Sequence, residues 1–207
     1  RTPMTSIRSF SEILRDTEGL ETVDKTKYAS IIHVEAIRLT RLLDDLLDLS
    51  VLENGQVSLN PSSGLLVDVI DHAITTTQAG AIRMIEIDKR GVDHSTILHT
   101  DLDRLAQVFI NLISNAQKYC KSKTPKLMIE TVVEGDTVTI LFTDNGIAIP
   151  VDTRALIFEK FARINDQDGS GAGLGLAICR EIVARLEGEI AYVPTSLGNQ
   201  FKVRLPL

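Results

Sequence analysis

Two cysteines in 207 residues, Cys120 and Cys179, are too few and too far apart for a disulfide framework. Each sits beside a helix-like segment, which suits reduced thiols in a cytosolic protein and indicates neither a metal pair nor a catalytic thiol. No apolar run approaches the roughly eighteen residues that a membrane span requires, and no charged-then-apolar leader opens the chain. The expectation is therefore a cytoplasmic fragment without membrane contact. Lysine and arginine number 22 against 28 aspartates and glutamates and form no cluster, which excludes a general nucleic-acid binder. The net charge of -6 reads as solubility. Internal repeats and low-complexity tracts are absent. What remains is an apolar fraction of 43%, enough for one large domain or two small ones with a real core.

The first fifty residues are helical in pattern. Apolar positions 32, 39, 42, 46 and 49, widened by 43 and 47, make one stripe of a helix over 31–52, with charged residues on the other face. Met4, Ile7, Phe10 and Leu14 make a shorter stripe after the run Arg1-Thr2-Pro3, which reads as helix-breaking. Gly19 and the capping candidates Thr22 and Asp24 lie between them, so an antiparallel hairpin is expected. Two helices with faces this broad cannot hide them alone, and pairing with a second copy into a four-helix bundle is the physical expectation; packing back onto the rest of the chain is the alternative.

Turn formers cluster at Asn54-Gly55 and again from Asn60 to Gly64, placing a boundary between domains 1–55 and 56–207. Beyond it the pattern predicts strands at 56–59, 84–88, 95–99, 126–133, 137–143, 189–193 and 200–205. Helices are expected at 64–79, 101–119 and 173–187, with a short one near 151–157. Glu134-Gly135-Asp136 between two strands is a hairpin signal, so the class is α+β with antiparallel neighbours rather than a doubly wound parallel sheet.

Three segments carry candidate chemistry. Asn111, Asn115 and Lys118 recur at i, i+4 and i+7, so two carboxamides and an ammonium share a stripe while Phe109, Leu112 and Ile113 face elsewhere. Carboxamide oxygens are hard neutral donors suited to Mg²⁺ shared with phosphates, which a lysine would balance. A solvated helix face explains the same residues. Asp144-Asn145-Gly146 ends the alternating strand Val138-Ile140-Phe142, where a carboxylate could accept from an exocyclic amine and a glycine could let a flat ring approach; a plain turn explains it equally well. Gly169 to Gly175 runs straight into an apolar helix, offering backbone N–H groups at its positive end to a polyphosphate. It fits neither the Walker lysine pattern nor a dinucleotide fingerprint.

In this order, with Ile157-Phe158-Glu159-Lys160-Phe161 between the last two, the segments resemble the N, G1, F and G2 boxes of sensor histidine kinases, within the wider superfamily of gyrase, the Hsp90 chaperones and MutL. Arg1-Thr2-Pro3-Met4-Thr5-Ser6-Ile7 is similar to the tail of the H box, so the resemblance covers nearly the whole chain. It implies a dimerisation and phosphotransfer hairpin, then a two-layer α/β sandwich with a mixed, largely antiparallel sheet, the Bergerat ATPase fold. It implies ATP and Mg²⁺ as cofactors, Asn115 as the principal metal ligand assisted by Asn111, Lys118 near the phosphates and Tyr119 against the nucleoside. By the same resemblance Asp144 recognises the adenine amino group, Gly146 admits the base, and Gly171, Gly173, Leu174 and Gly175 hold phosphate oxygens. The stretch 150–170 looks like the ATP lid, anchored by Phe158 and Phe161, with Arg163 reaching the γ-phosphate. The phosphoaccepting histidine would stand three residues before Arg1, and Thr2 would orient water for dephosphorylating a partner response regulator.

The family pattern is broken at Ala148, where glycine is usual and where affinity or a lid hinge would be affected, and at Gln200, where a threonine is frequent and an amide could still reach adenine or its water. His33, His72, His94 and His99 lie outside any H-box context. The implied function is autophosphorylation from ATP followed by transfer to an aspartate of a response-regulator receiver domain, by a homodimer. The alternatives are a degenerate partner that binds nucleotide or a regulator without autophosphorylation, and a gyrase- or chaperone-type ATPase, which would want a glutamate base where Gln107 and Asn111 stand.

Overall fold

The computed structural model describes residues 3–53, 58–79, 83–162 and 173–207. It divides into two compact units, residues 1–50 and 51–207. In the first, helix α1 (Pro3–Asp16) and helix α2 (Thr22–Glu53) form the expected hairpin, and Phe10 and Tyr28 stack across it at 5.4 Å. Pro3 does not break this helix; it is its first described residue, where a fixed φ and a missing N–H cost nothing. No α1 residue is buried, and Val34, Leu43 and Leu47 on α2 are exposed.

The second unit is a sheet with helices on one face. Strand β1 (Ser62–Leu65) leads into α3 (Leu66–Ala79), then β2 (Glu86–Arg90), β3 (Ile97–Thr100) and α4 (Leu102–Tyr119). The hairpin β4 (Lys126–Glu134) and β5 (Thr137–Asp144) follows, then a 3₁₀ turn at Val151–Thr153, α5 (Gly175–Arg185), β6 (Glu189–Thr195) and β7 (Gly198–Pro206). The main sheet runs β2-β4-β5-β7-β6, parallel only between β2 and β4, while β1 and β3 pair separately. The sheet is therefore mixed and largely antiparallel, as expected.

Two boundaries moved materially. Of the strand expected at 56–59, residues 56 and 57 lie outside the described residues and 58 and 59 form no strand; Ser62–Leu65, a Ser-Ser-Gly stretch that reads as a turn, is a strand ordered by antiparallel pairing with β3. The short helix near 151–157 shrinks to one 3₁₀ turn followed by irregular chain.

The core forms between the inward residues of the sheet, Leu127, Ile129, Val138, Ile140, Phe142, Phe201, Val203 and Leu205, and the apolar faces of the helices. Phe109 of α4 meets Phe142 of β5 at 5.2 Å between ring centroids, and both are almost fully buried. Burial of one such ring contributes about 2–3 kcal/mol. Asp101 starts α4 by accepting from Arg104 N at 3.0 Å, a cap worth about 1 kcal/mol, and its other oxygen accepts from Asn60 N. With Phe109, Leu112 and Ile113 committed to the core, Asn111 and Asn115 are left at its margin, half-buried.

Candidate functional site

Three structural elements converge along α4. At its C-terminal end, Cys120 closes the helix and packs on the turn after β5: a Cβ added to Gly146 would stand 3.1 Å from Cys120 Cα and 2.7 Å from Asp144 Oδ1. Only glycine fits there. Toward its middle, Asn111 lies against the start of α5, its Oδ1 4.0 Å from where a Cβ on Gly175 would be. Nine residues of helix separate Cys120 from Asn111, about 13 Å at 1.5 Å per residue. Asn115 falls between them in sequence, one turn after Asn111 on the same stripe as Asn111.

Asp144 is nearly buried, and burial pushes its carboxyl above the usual carboxylate range, opposed by hydrogen bonds from Asn199 and Gly146. Its Oδ1 accepts from Gly146 N at 2.7 Å and from Asn199 Nδ2 at 3.1 Å. Asn199 also donates to Ile147 O at 3.1 Å, while its Oδ1 accepts from Ile149 N at 3.0 Å and from the Tyr192 hydroxyl at 3.1 Å. Asn145 points the other way, accepting from Lys126 N and donating to Thr124 O, so it locks the chain between α4 and β4.

Neither Asn199 nor Tyr192 was picked out from sequence. The available signal was register. Val138, Ile140, Phe142 and Asp144 alternate on β5, Asn199, Phe201, Val203 and Leu205 alternate on β7, and Asp144 stands opposite Asn199. Gln200 is one residue out of phase, pairs with Thr143, and donates to Thr143 Oγ1 at 2.9 Å on the opposite face. Its side chain lies on the face opposite Asp144.

At the other end, Gly173 has φ 72°, and a Cβ there would lie 2.7 Å from Ala162 O and 2.8 Å from the Phe161 carbonyl carbon. The chain entering and leaving the expected lid is thus pinched together. Leu174 follows with its side chain fully buried, so only its backbone can meet a ligand. No side chain caps α5, which leaves its first N–H groups available for an anion. Phe161, expected to anchor the lid, is 56% exposed and has φ 62°. Ile157 is buried instead, and Phe158 packs edge-on against Phe201 at 6.4 Å.

Lys118 and Tyr119 are exposed on the last turn of α4, open to a bound molecule. Ala148 is exposed and has no left-handed backbone, so its methyl group strains nothing. Thr2, Arg163 and Gly171 lie outside the described residues. Cys179 is wholly buried beneath Asn111, which hydrogen-bonds it, and burial pushes its thiol to about 12; this cysteine is inert. A concavity of about 220 Å³ beside β2 and β4 is lined by Glu86, Arg90, Met128 and Thr143 and also by Asp144 and Asn145, but by none of the α4 residues. Among the described residues no group of His, Cys, Asp and Glu could hold a metal ion, and no helix is long and apolar enough to cross a membrane. The donors that fit a hard divalent cation are the neutral carboxamides of Asn111 and Asn115, facing a seat for polyanions.

Comparison with known proteins agrees with this geometry. Residues 100–207, more than half of the chain, match the family of histidine kinase-, DNA gyrase B- and HSP90-like ATPases, and residues 1–55 match the His Kinase A phosphoacceptor domain. The chain is 33% identical to the sensor protein KdpD of Escherichia coli K12 over 208 residues, spanning all of this chain and 23% of KdpD. Among solved structures, the histidine kinase AdeS of Acinetobacter baumannii matches with a TM-score of 0.74 at 25% identity, covering all of this chain and 95% of that one. The histidine kinase ThkA, solved in complex with the response regulator TrrA, shares the fold with a TM-score of 0.75 at 24% identity, over 100% and 58% of the two chains. Two matched segments in the right order, and a fold shared along the length of both, show that the chain belongs to the sensor histidine kinases of two-component systems.

Proposed function

We propose that this chain is the cytoplasmic dimerisation and catalytic core of a protein-histidine kinase, which binds ATP with Mg²⁺ and directs the γ-phosphoryl group to a histidine three residues upstream of Arg1. The observation that carries the reading is that the turn after Asp144 packs on the C-terminal end of α4 while Gly175 packs on Asn111 of the same helix, which also bears Asn115.

Asp144, ionised and already holding two donors on one oxygen, takes the exocyclic amine of the base on the other. Gly146 keeps Cys120 and Asp144 close, and Tyr119 lies along the nucleoside. The N–H groups from Gly173 to Gly175, with Gly171, take phosphate oxygens, and Lys118 balances their charge. Asn115, assisted by Asn111, holds Mg²⁺, which when bound neutralises charge on the phosphates. Arg163 reaches the γ-phosphate and Thr2 positions water for the reverse, phosphatase reaction. The chain's contribution is positioning and charge neutralisation, with the nucleophile supplied upstream.

We place residues 1–55 as the dimerisation and phosphotransfer hairpin and 56–207 as the catalytic domain. Exposed Val34, Leu43 and Leu47 support burial of the hairpin against a second copy. ThkA was solved with a response regulator; we extend that class of partner to this chain, with the receiver aspartate as the final acceptor. The test is incubation of the protein, carried upstream through the expected histidine, with γ-labelled ATP and Mg²⁺. Acid-labile label on the protein, lost in a variant with that histidine replaced and in Asn115→Ala, supports the reading. Nucleotide binding without acid-labile label points instead to a degenerate partner.

A further inference from the structure

The Asn199 carboxamide is held by four partners that leave it one orientation. Two donors, Ile149 N at 3.0 Å and the Tyr192 hydroxyl at 3.1 Å, meet its oxygen; two acceptors, Asp144 Oδ1 and Ile147 O, each at 3.1 Å, meet its nitrogen. The Tyr192 ring is itself held. Phe201 meets it edge-on at 5.6 Å, and Arg154 lies over its face at 5.7 Å while donating from Nε to Ile149 O. The Tyr192 oxygen also accepts from Ile149 N at 3.2 Å. Asp144 Oδ1 therefore faces two fixed donors, and among the described residues no hydrogen bond is made to Oδ2.

We propose that Tyr192 and Asn199 are positioning residues that determine base selection: by fixing the carboxamide they hold Asp144 as a pure acceptor toward the ligand, favouring a base that presents an amino group over one that presents a carbonyl. The inference rests on the nucleotide reading above and deepens it. If the hydroxyl is removed, one of the two donors that keep the Asn199 oxygen turned away is lost. A rotated carboxamide sets oxygen against Asp144 Oδ1, two acceptors in contact, and the cheapest relief is a proton on the carboxylate. A protonated Asp144 donates, and the bias against a carbonyl edge weakens.

Tyr192→Phe is the informative variant, because it keeps the ring against Phe201 and Arg154 and removes only the hydroxyl. Asn199→Leu is the second, removing the carboxamide at similar volume. Calorimetric titration with adenosine diphosphate and with inosine diphosphate, which carries a carbonyl in place of the amine, gives an affinity ratio for each protein. The wild-type chain favours the adenine nucleotide, and the ratio falls about three- to tenfold in Tyr192→Phe and further in Asn199→Leu. If both nucleotides weaken by one common factor, or the wild type does not discriminate, the positioning role is overturned while the site stands. Absence of adenosine diphosphate binding to the wild type overturns the nucleotide reading and this inference with it.

Discussion

Asn199 Nδ2 donates to Asp144 Oδ1 across 3.1 Å, joining residues 55 positions apart through the paired strands β5 and β7. That contact turns a carboxylate at a strand end into a fixed, half-satisfied acceptor. It opposes the effect of burial, which makes Asp144 a group whose ionisation works against folding.

Burial raises the Asp144 pKa above its ordinary value of 3.8. Between that value and the folded one, the native state binds more protons than the unfolded chain, so stability falls as pH rises through the window and the full cost is present at neutral pH. Asp144→Asn is therefore expected to melt at or above the wild-type temperature at pH 7, with the gap closing as pH is lowered. It is expected to bind adenosine diphosphate at least about tenfold more weakly, the loss of one charged hydrogen bond. Thermal melts across pH, with parallel titrations, measure both.

Gly146→Ala places a methyl group 2.7 Å from Asp144 Oδ1, which two hydrogen bonds hold in place, and 3.1 Å from the backbone Cα of Cys120. The expected cost is about 1–3 kcal/mol of stability, read by denaturant unfolding, with a larger fractional loss of nucleotide affinity than a core substitution of equal cost such as Ile140→Val.

Cys179 is buried with its thiol raised to about 12, whereas a thiol of ordinary pKa on the surface reacts readily near pH 8. Mass spectrometry after treatment with a maleimide at pH 8 is expected to find Cys179 unmodified in the native protein and fully modified in denaturant. Native labelling would show that α5 does not seal against Asn111.

The hairpin carries its apolar residues on the outside. Leu47→Lys, at a position 65% exposed, is expected to weaken self-association at least about tenfold without unfolding the second unit, measured by sedimentation across concentration.

What could be read from sequence alone follows the physics of each element. Periods of 3.6 over 31–52 and 101–119, and of 2 over Val138-Ile140-Phe142, are local, and the helices and the central hairpin were found nearly in place. The elements that moved depend on partners far along the chain. Ser62–Leu65 is a strand because β3 pairs with it, against its own turn-like composition. Asn199 is not legible in motif spacing, because a one-residue slip in register exchanges the two faces of a strand and spacing does not encode register. The left-handed backbone of Phe161 beside Gly173 and the burial of Ile157 likewise depend on the fold rather than on local pattern. Pro3 reads as a breaker in isolation and begins α1 in the fold.

The central claim is that α4 and the two turns packed on it form a single nucleotide site. It is tested most directly by titrating the protein with a non-hydrolysable ATP analogue, with and without Mg²⁺, beside Asn115→Ala and Asp144→Ala. The account predicts saturable wild-type binding strengthened by Mg²⁺, a Mg²⁺ effect abolished in Asn115→Ala, and weakening of about tenfold or more in Asp144→Ala that is independent of the metal. Binding that is absent, or unchanged by both substitutions, would contradict it.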